Sequence, residues 1–488
     1  MTPLNARTLP SIDAVPTPAY DRSVATVGIV HIGFGNFHRS HEAMYVDRLM
    51  AQGAALDWGI CGVGILPADS RMREVMHAQD GLYTLVLRHA DGRLEPRIIG
   101  SVLDYRLGPD DPEAVLAALC DPAVRIVSLT VTESGYVRDP ATGVFDAQHS
   151  DVLHDLAHPE SPHTAFSYLV QALRRRRSAG IAPFTVLSCD NLQANGQMAR
   201  QAVTGFARLV DPQLAGWIET EVAFPNSMVD RITPATSEDD RAAVRHIGLE
   251  DDWPVPAEPF TQWIVEDDFP SGRPPFEMVG AQFVPDVRPY EEMKLRLLNG
   301  SHQAIAHVGG LLGCVYVDEV MRDERVRRYL VDFMRNEAIP TLAPVPGVDL
   351  DAYVDTLIER FSNPHMRDTV LRLATDGGNR MATFVLPTMR DSLEAGRPMP
   401  LAMLMLAAWA EGWARIASGA VPAEDVPPDV LAGLMMQAAG DADPSTFITI
   451  ASAIAARGRI DVATTSSRGA VVSSSSATAL QSVYIASG

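Results

Sequence analysis

Residues 27–33, VGIVHIG, form a short apolar run rich in β-branched residues. Glycines follow at once, and SHEAMYVDRLMAQG then sets its apolar residues at helical spacing. The pattern predicts a strand, a tight turn and a helix. Similar runs at WGICGVGI (58–65), LYTLVL (82–87), RIVSLTVTE (125–133) and FTVLSC (184–189) predict further strands, and helical patterns fall near 112–120 and 164–178. Strands alternating with helices predict a mostly parallel α/β sheet. The character changes near Pro285 to Pro289. After it, KLRLLNGSHQAIAHVGGLLG, VRRYLVDFMRNEAI, LDAYVDTLIERF and PLAMLMLAAWAEGWARIASG all read as helices. The expected organisation is an α/β domain over residues 1–285 and a mostly α-helical domain over 286–463. A serine-rich, low-complexity tail is expected over 464–488, where helical periodicity stops. No internal repeat points to a solenoid.

Composition narrows the function. At 488 residues the chain can hold two or more domains, and 47% hydrophobic with 21% charged residues is the balance of a folded protein. A formal charge of −21 argues against nucleic acid or an anionic membrane as the main partner. The first residues carry acids and prolines but no apolar signal core, and no run reaches the ~20 apolar residues a bilayer span needs. Cys61, Cys120, Cys189 and Cys314 lie far apart with no C-x-x-C pair, so neither a metal framework nor a disulfide scaffold is expected. A cytoplasmic protein fits these features.

In HIGFGNFHRSH, Gly33 and Gly35 take the first two positions of a G-x-G-x-x-G pattern set between strand and helix, with His38 at the third. With Phe34 and Asn36 they form a candidate dinucleotide turn. The first glycine allows a sharp reversal and the second a close approach of backbone to pyrophosphate, which sits where unpaired N–H groups and the helix dipole favour an anion. Asp69, beyond the second strand, is the candidate ribose acid, and a carboxylate there favours NAD over NADP by repelling a 2′-phosphate. It lies further from the turn than the usual ~20 residues, so a solvated loop acid is the competing reading.

The stretch KLRLLNGSHQ (294–303) sets three polar side chains among leucines. At about 100° per residue, Lys294, His302 and Asn299 fall near about 0°, 80° and 140°, on one side with Leu295 and Leu298. A snorkelling surface lysine is the ordinary alternative. Three polar groups on a leucine-rich arc are costly to bury without partners, so the arc is a candidate cleft wall. Apolar surroundings there depress the lysine pKa and make its amine a general base. Tyr290 and Lys294 also reproduce the Tyr-x-x-x-Lys spacing of short-chain dehydrogenases, but the glycine pattern, the chain length and the pair's place in the helical half argue against that family. A zinc-dependent alcohol dehydrogenase lacks its cysteine–histidine framework here.

Taken together, IVHIGFGNFHRSH, SCDNLQANG and PYEEMKLRLLNGSH resemble the polyol-specific long-chain dehydrogenase family, with order and spacing matching over most of residues 24–415. WIVEDDFPSGRPP and RFSNP are further similar patches. The resemblance implies a Rossmann-type N-terminal domain, a helical C-terminal domain, NAD as cofactor and no catalytic metal. It places the general base on Lys294 and oxygen-polarising amides on Asn191 and Asn299. Substrate contacts fall on His302, Asp230 and, more loosely, Arg372; pairing with Arg231 is the structural alternative for Asp230. The implied reaction is reversible oxidation of a sugar alcohol to a ketose, with D-mannitol to D-fructose leading and D-arabinitol or D-sorbitol as further substrates. A hexuronate reductase of the same broader family and a non-catalytic nucleotide or sugar sensor are the alternatives. A monomer is the expected state.

Overall fold

The computed structural model describes residues 1–139, 143–375 and 377–417. The expected tail at 464–488 and the end of the expected helical domain at 463 lie outside the described residues.

Five strands build the central sheet: β1 (Val27–Ile32), β2 (Gly59–Gly64), β3 (Val102–Leu107), β4 (Ile126–Leu129) and β5 (Thr185–Ser188). They run in the order β3-β2-β1-β4-β5, and every pairing is parallel. The near-continuous apolar runs follow from burial on both faces. Successive side chains of a strand point to opposite faces: Val30, Ile32, Cys61 and Val63 enter one core with Phe166, Leu173 and Phe206, while Ile29 and Ile60 enter another with Val46, Tyr83 and Trp263. The order reverses at β1, which opens a crevice beyond the carboxyl ends of β1 and β4.

Two expected strands differ in detail. The 82–87 run forms Tyr83–Arg88 but leaves the central sheet, pairing antiparallel with Leu94–Ile99 and parallel with Val255–Ala257. The Asp91-Gly92 turn, with Gly92 at φ +86°, closes that hairpin. The 125–133 run stops being strand at Leu129, where the chain bends against the glycine turn.

A third small sheet joins Ser227–Asp230, Gln262–Glu266 and Gln282–Val284. It lies where the two halves meet: Met228 and Ile264 belong to the core of the C-terminal helices, and Val229 and Trp263 to a core beside the central sheet. Beyond it α1 (Arg288–Met293) leads through a π-helical turn, Lys294–Asn299, into α2 (Gly300–Leu311). The helices α3 (Leu350–Phe361) and α4 (Pro400–Ala417) complete the bundle around Leu297, Ile305, Leu357 and Leu406. Among the described residues no helix is long and apolar enough to cross a membrane.

Candidate active site

The glycine turn leaves β1 at the switch point. Gly33 has φ +94°, and a Cβ on it would lie 2.2 Å from the Thr130 carbonyl oxygen, so only glycine fits. A Cβ on Gly35 would meet only the Gly33 oxygen, at 3.9 Å; its outer side is open, as close approach by a phosphate requires. Phe34 is a core residue, packed against His38 and Tyr105. The Asn36 amide donates to Pro234 O and Thr236 Oγ1 (both 3.0 Å) and its Oδ1 accepts from Arg39, so this side chain braces the turn. Beneath the turn His31 and His38 stack at 3.5 Å beside buried Glu42. Burial pushes His38 down to about 3, which keeps its ring neutral. Asp69 sits over the carboxyl end of β2, against Gly64, and accepts the Leu66 N–H (3.0 Å). These groups fit a dinucleotide: an open backbone at the switch point and a carboxylate at the end of the second strand.

Past β5 the chain enters the same crevice. Asp190 accepts from Val131 N (3.2 Å), Thr132 N (2.8 Å) and Tyr136 Oη (2.8 Å), tying the loop after β4 to the loop after β5. Thr132 is held at φ 63°, ψ 171°, a region nearly confined to glycine, at a cost on the order of 1–3 kcal/mol. Asn191, next in sequence, is exposed to the cleft.

Lys294 is 6% exposed, and its Nζ donates to Asn191 Oδ1 and to Val229 O, both at 2.6 Å. Burial lowers its pKa, with Asp230 opposing the shift and Arg360 assisting it. A neutral amine has two N–H bonds and one lone pair. Both donations can therefore persist after deprotonation, leaving the lone pair for a substrate proton. The expected regular helix differs here. The π-helical turn closes with i→i+5 bonds and winds more slowly than an α-helix, which swings Asn299 nearer to Lys294 than the about 140° of a regular helix. Asn299 Oδ1 and His302 Nε2 are buried with no protein partner, and burial pushes His302 down to about 3.

Arg360 was not singled out by sequence reasoning, although it opens the RFSNP patch. Its guanidinium donates to Asp230 (2.7 and 3.0 Å) and to Glu258 (3.0 and 2.7 Å), and stacks 4.0 Å over the Phe260 ring. Burial alone would raise Asp230, but Arg360 outweighs it and holds the carboxyl below its usual range; for Glu258, which also faces Asp230, burial wins and the shift is upward. Arg231 is not the partner of Asp230. It donates to the Ser40 and Glu258 carbonyls.

Glu291 was also missed. It lines a cleft of about 240 Å³ with Asn191 and Lys294, accepts weakly from Ala194 N (3.2 Å), and is raised by burial to about 7. Arg372 stands apart. Its half-exposed side chain pairs with Asp368, and only Asp368 reaches the second cleft, of about 260 Å³, lined by His302 and Arg360. Lys294 and Asn191 thus meet in one cleft, with His302 and Arg360 on the second and Asp230 paired to Arg360; Asn299 follows Lys294 at the end of the π-helical turn. Arg372 and Asp69 lie at the margins of the site.

A Rossmann-type sheet with a buried lysine supplied by a helical second domain defines a two-domain dehydrogenase architecture. The chain belongs to the mannitol dehydrogenase family: residues 27–278 match the mannitol dehydrogenase Rossmann domain and residues 286–419 the mannitol dehydrogenase C-terminal domain. It is 47% identical to mannitol 2-dehydrogenase of Cereibacter sphaeroides, over 81% of this chain and 83% of that one. Among solved structures, Pseudomonas fluorescens mannitol 2-dehydrogenase in ternary complex with NAD and D-mannitol superposes with a TM-score of 0.82 at 41% identity, covering 93% of this chain and 96% of that one. A substrate-free D-sorbitol dehydrogenase gives 0.80 at 38% identity, covering 92% and 98%.

Proposed function

We propose that the chain is an NAD-dependent polyol dehydrogenase that oxidises D-mannitol to D-fructose reversibly and without zinc, with D-arabinitol and D-sorbitol as further substrates. Gly33, Gly35 and the backbone of Phe34 and Asn36 would hold the pyrophosphate, and Asp69 the ribose. NAD, when bound, supplies the hydride acceptor. Lys294 takes the hydroxyl proton on its lone pair, while its two donations fix the amine's direction. Asn191, whose Oδ1 is engaged by Lys294, turns its amide N–H groups to the reacting oxygen, and Asn299 offers a second amide there. Asp230 and His302 hold the neighbouring hydroxyls. Glu291, titrating near neutrality in the same cleft, is placed to pass on the proton that Lys294 collects.

The observation that carries this reading is the buried Lys294 amine between Asn191 Oδ1 and Val229 O. A neutral polyol is favoured over an aldonate because Arg360 and Arg372, whose charges act on His302, are both paired with carboxylates. We take residues 1–285 and 286–463 as the two domains. A monomer in the cytoplasm is the working state we propose. The test is NADH formation by purified protein with mannitol, sorbitol, arabinitol, mannonate and altronate. Turnover confined to polyols is expected. Preference for the aldonates would assign the chain to hexuronate reduction instead, and NAD binding without turnover would make it a sensor.

A further inference from the structure

Four of the chain's 13 histidines fall between His149 and His163, away from the lysine cleft. The helix Ser150–Ala157 carries His154 on its last turn, with His158 one turn on as its cap, and the following loop returns to bring His163 back onto the helix. The His154 and His163 rings stack at 3.6 Å, and the His158 ring lies 5.0 Å from His154. Three imidazoles therefore meet at one surface point. The ligand atoms of His154, Asp155 and His163 lie within 4.8 Å of one another.

The arrangement is built. Asp155, wholly buried, accepts His163 N (2.7 Å), Thr164 N (2.9 Å) and Thr164 Oγ1 (2.7 Å), which fixes the loop against the helix. Its Oδ1 also lies 3.2 Å from His154 Nδ1. A carboxylate facing Nδ1 sets the tautomer that leaves Nε2 as a lone-pair donor, the usual support of a metal-binding histidine. Asp151 lies 3.7 Å from His163 Nδ1, and Glu160 3.4 Å from His158 Nδ1. His163 and His158 are more than half exposed, so their rings can splay out of the stack at little cost.

We propose that this cluster is a surface site for a borderline divalent cation of the Zn²⁺ or Ni²⁺ class, bound by the imidazoles of His154, His163 and His158 with Asp155 as orienting carboxylate. Three imidazole nitrogens with nearby carboxylates suit such ions better than Mg²⁺ or Ca²⁺, which prefer oxygen. The ion would staple the loop to the helix and stabilise the N-terminal domain, with no part in hydride transfer.

The test is calorimetric titration of the tag-free, full-length protein with ZnCl₂ near neutral pH, with thermal unfolding in parallel. One Zn²⁺ per chain is expected, with a raised unfolding midpoint. The His154→Gln/His163→Gln variant, which removes two ligands, is expected to weaken binding by more than the roughly 10–100-fold that loss of an outer-shell partner costs. It should lose the midpoint shift while retaining wild-type polyol turnover. Zn²⁺ binding of unchanged strength in that variant, or none in the wild type, would overturn the proposal. The first result would move the ion elsewhere, for example to the sealed group of His31, His38 and Glu42.

Discussion

Two buried cations lie side by side where the domains meet, and they are treated in opposite ways. Arg360 has carboxylates on both sides and an aromatic ring beneath it; its charge is fully matched and raised well above its ordinary pKa, the carboxylates outweighing burial. Lys294 has neutral acceptors, an amide and a carbonyl, and is pushed down by burial. A cation with both its charge and its hydrogen bonds satisfied is a fastening. One whose charge is poorly matched gives up its proton readily, which a base must do. Asp230 serves both, pairing with Arg360 while its field restrains the fall of the lysine pKa.

The largest expected effect is on the lysine side. Lys294→Ala should lower mannitol oxidation by ~10²–10⁴-fold at saturating NAD, as loss of a general base does, with thermal stability little changed. On the fastening side the order reverses. Arg360→Leu strands two buried carboxylates and should cost about 3–5 kcal/mol in urea unfolding, whatever it does to turnover. If the two variants show the same mixture of lost stability and lost rate, the contrast between these cations fails. Asn299→Ala should reduce kcat by ~10²-fold, the cost of one oxyanion-hole donor, with a smaller change in KM. Asp230→Asn removes the charge that holds the Lys294 pKa up, so the ionisation limiting oxidation should move to lower pH. Smallest is Asp69→Ala, which should raise the KM for NAD about tenfold with kcat nearly unchanged, as loss of a charge-assisted hydrogen bond predicts.

Much of this was legible in the sequence because it rests on local pattern. The apolar runs of β1, β2, β4 and β5, the glycines after β1, and the polar residues among the leucines at 294–303 are all short-range signals. Arg360 and Glu258 were not legible: they lie 102 residues apart, and Arg360 meets Glu258 and Asp230 only in the folded chain. Nothing local separates Arg360 from other arginines in helices, and Arg231, adjacent to Asp230, was the natural wrong candidate. The π-helical turn was hidden for another reason. Its six residues fit a regular helix equally well, and the extra width appears only in the backbone bonding. The Gly33 requirement, by contrast, was readable from the strand that precedes it.

The central claim is that Lys294, neutral at its working pH, takes the substrate proton. It is tested most directly by the pH dependence of kcat/KM for mannitol oxidation in the wild type and in Lys294→Ala. The account predicts that wild-type activity falls as pH drops through an ionisation set below the ordinary lysine value, and that the residual activity of the variant lacks this ionisation. The same ionisation persisting in Lys294→Ala would contradict it and assign the base to another group.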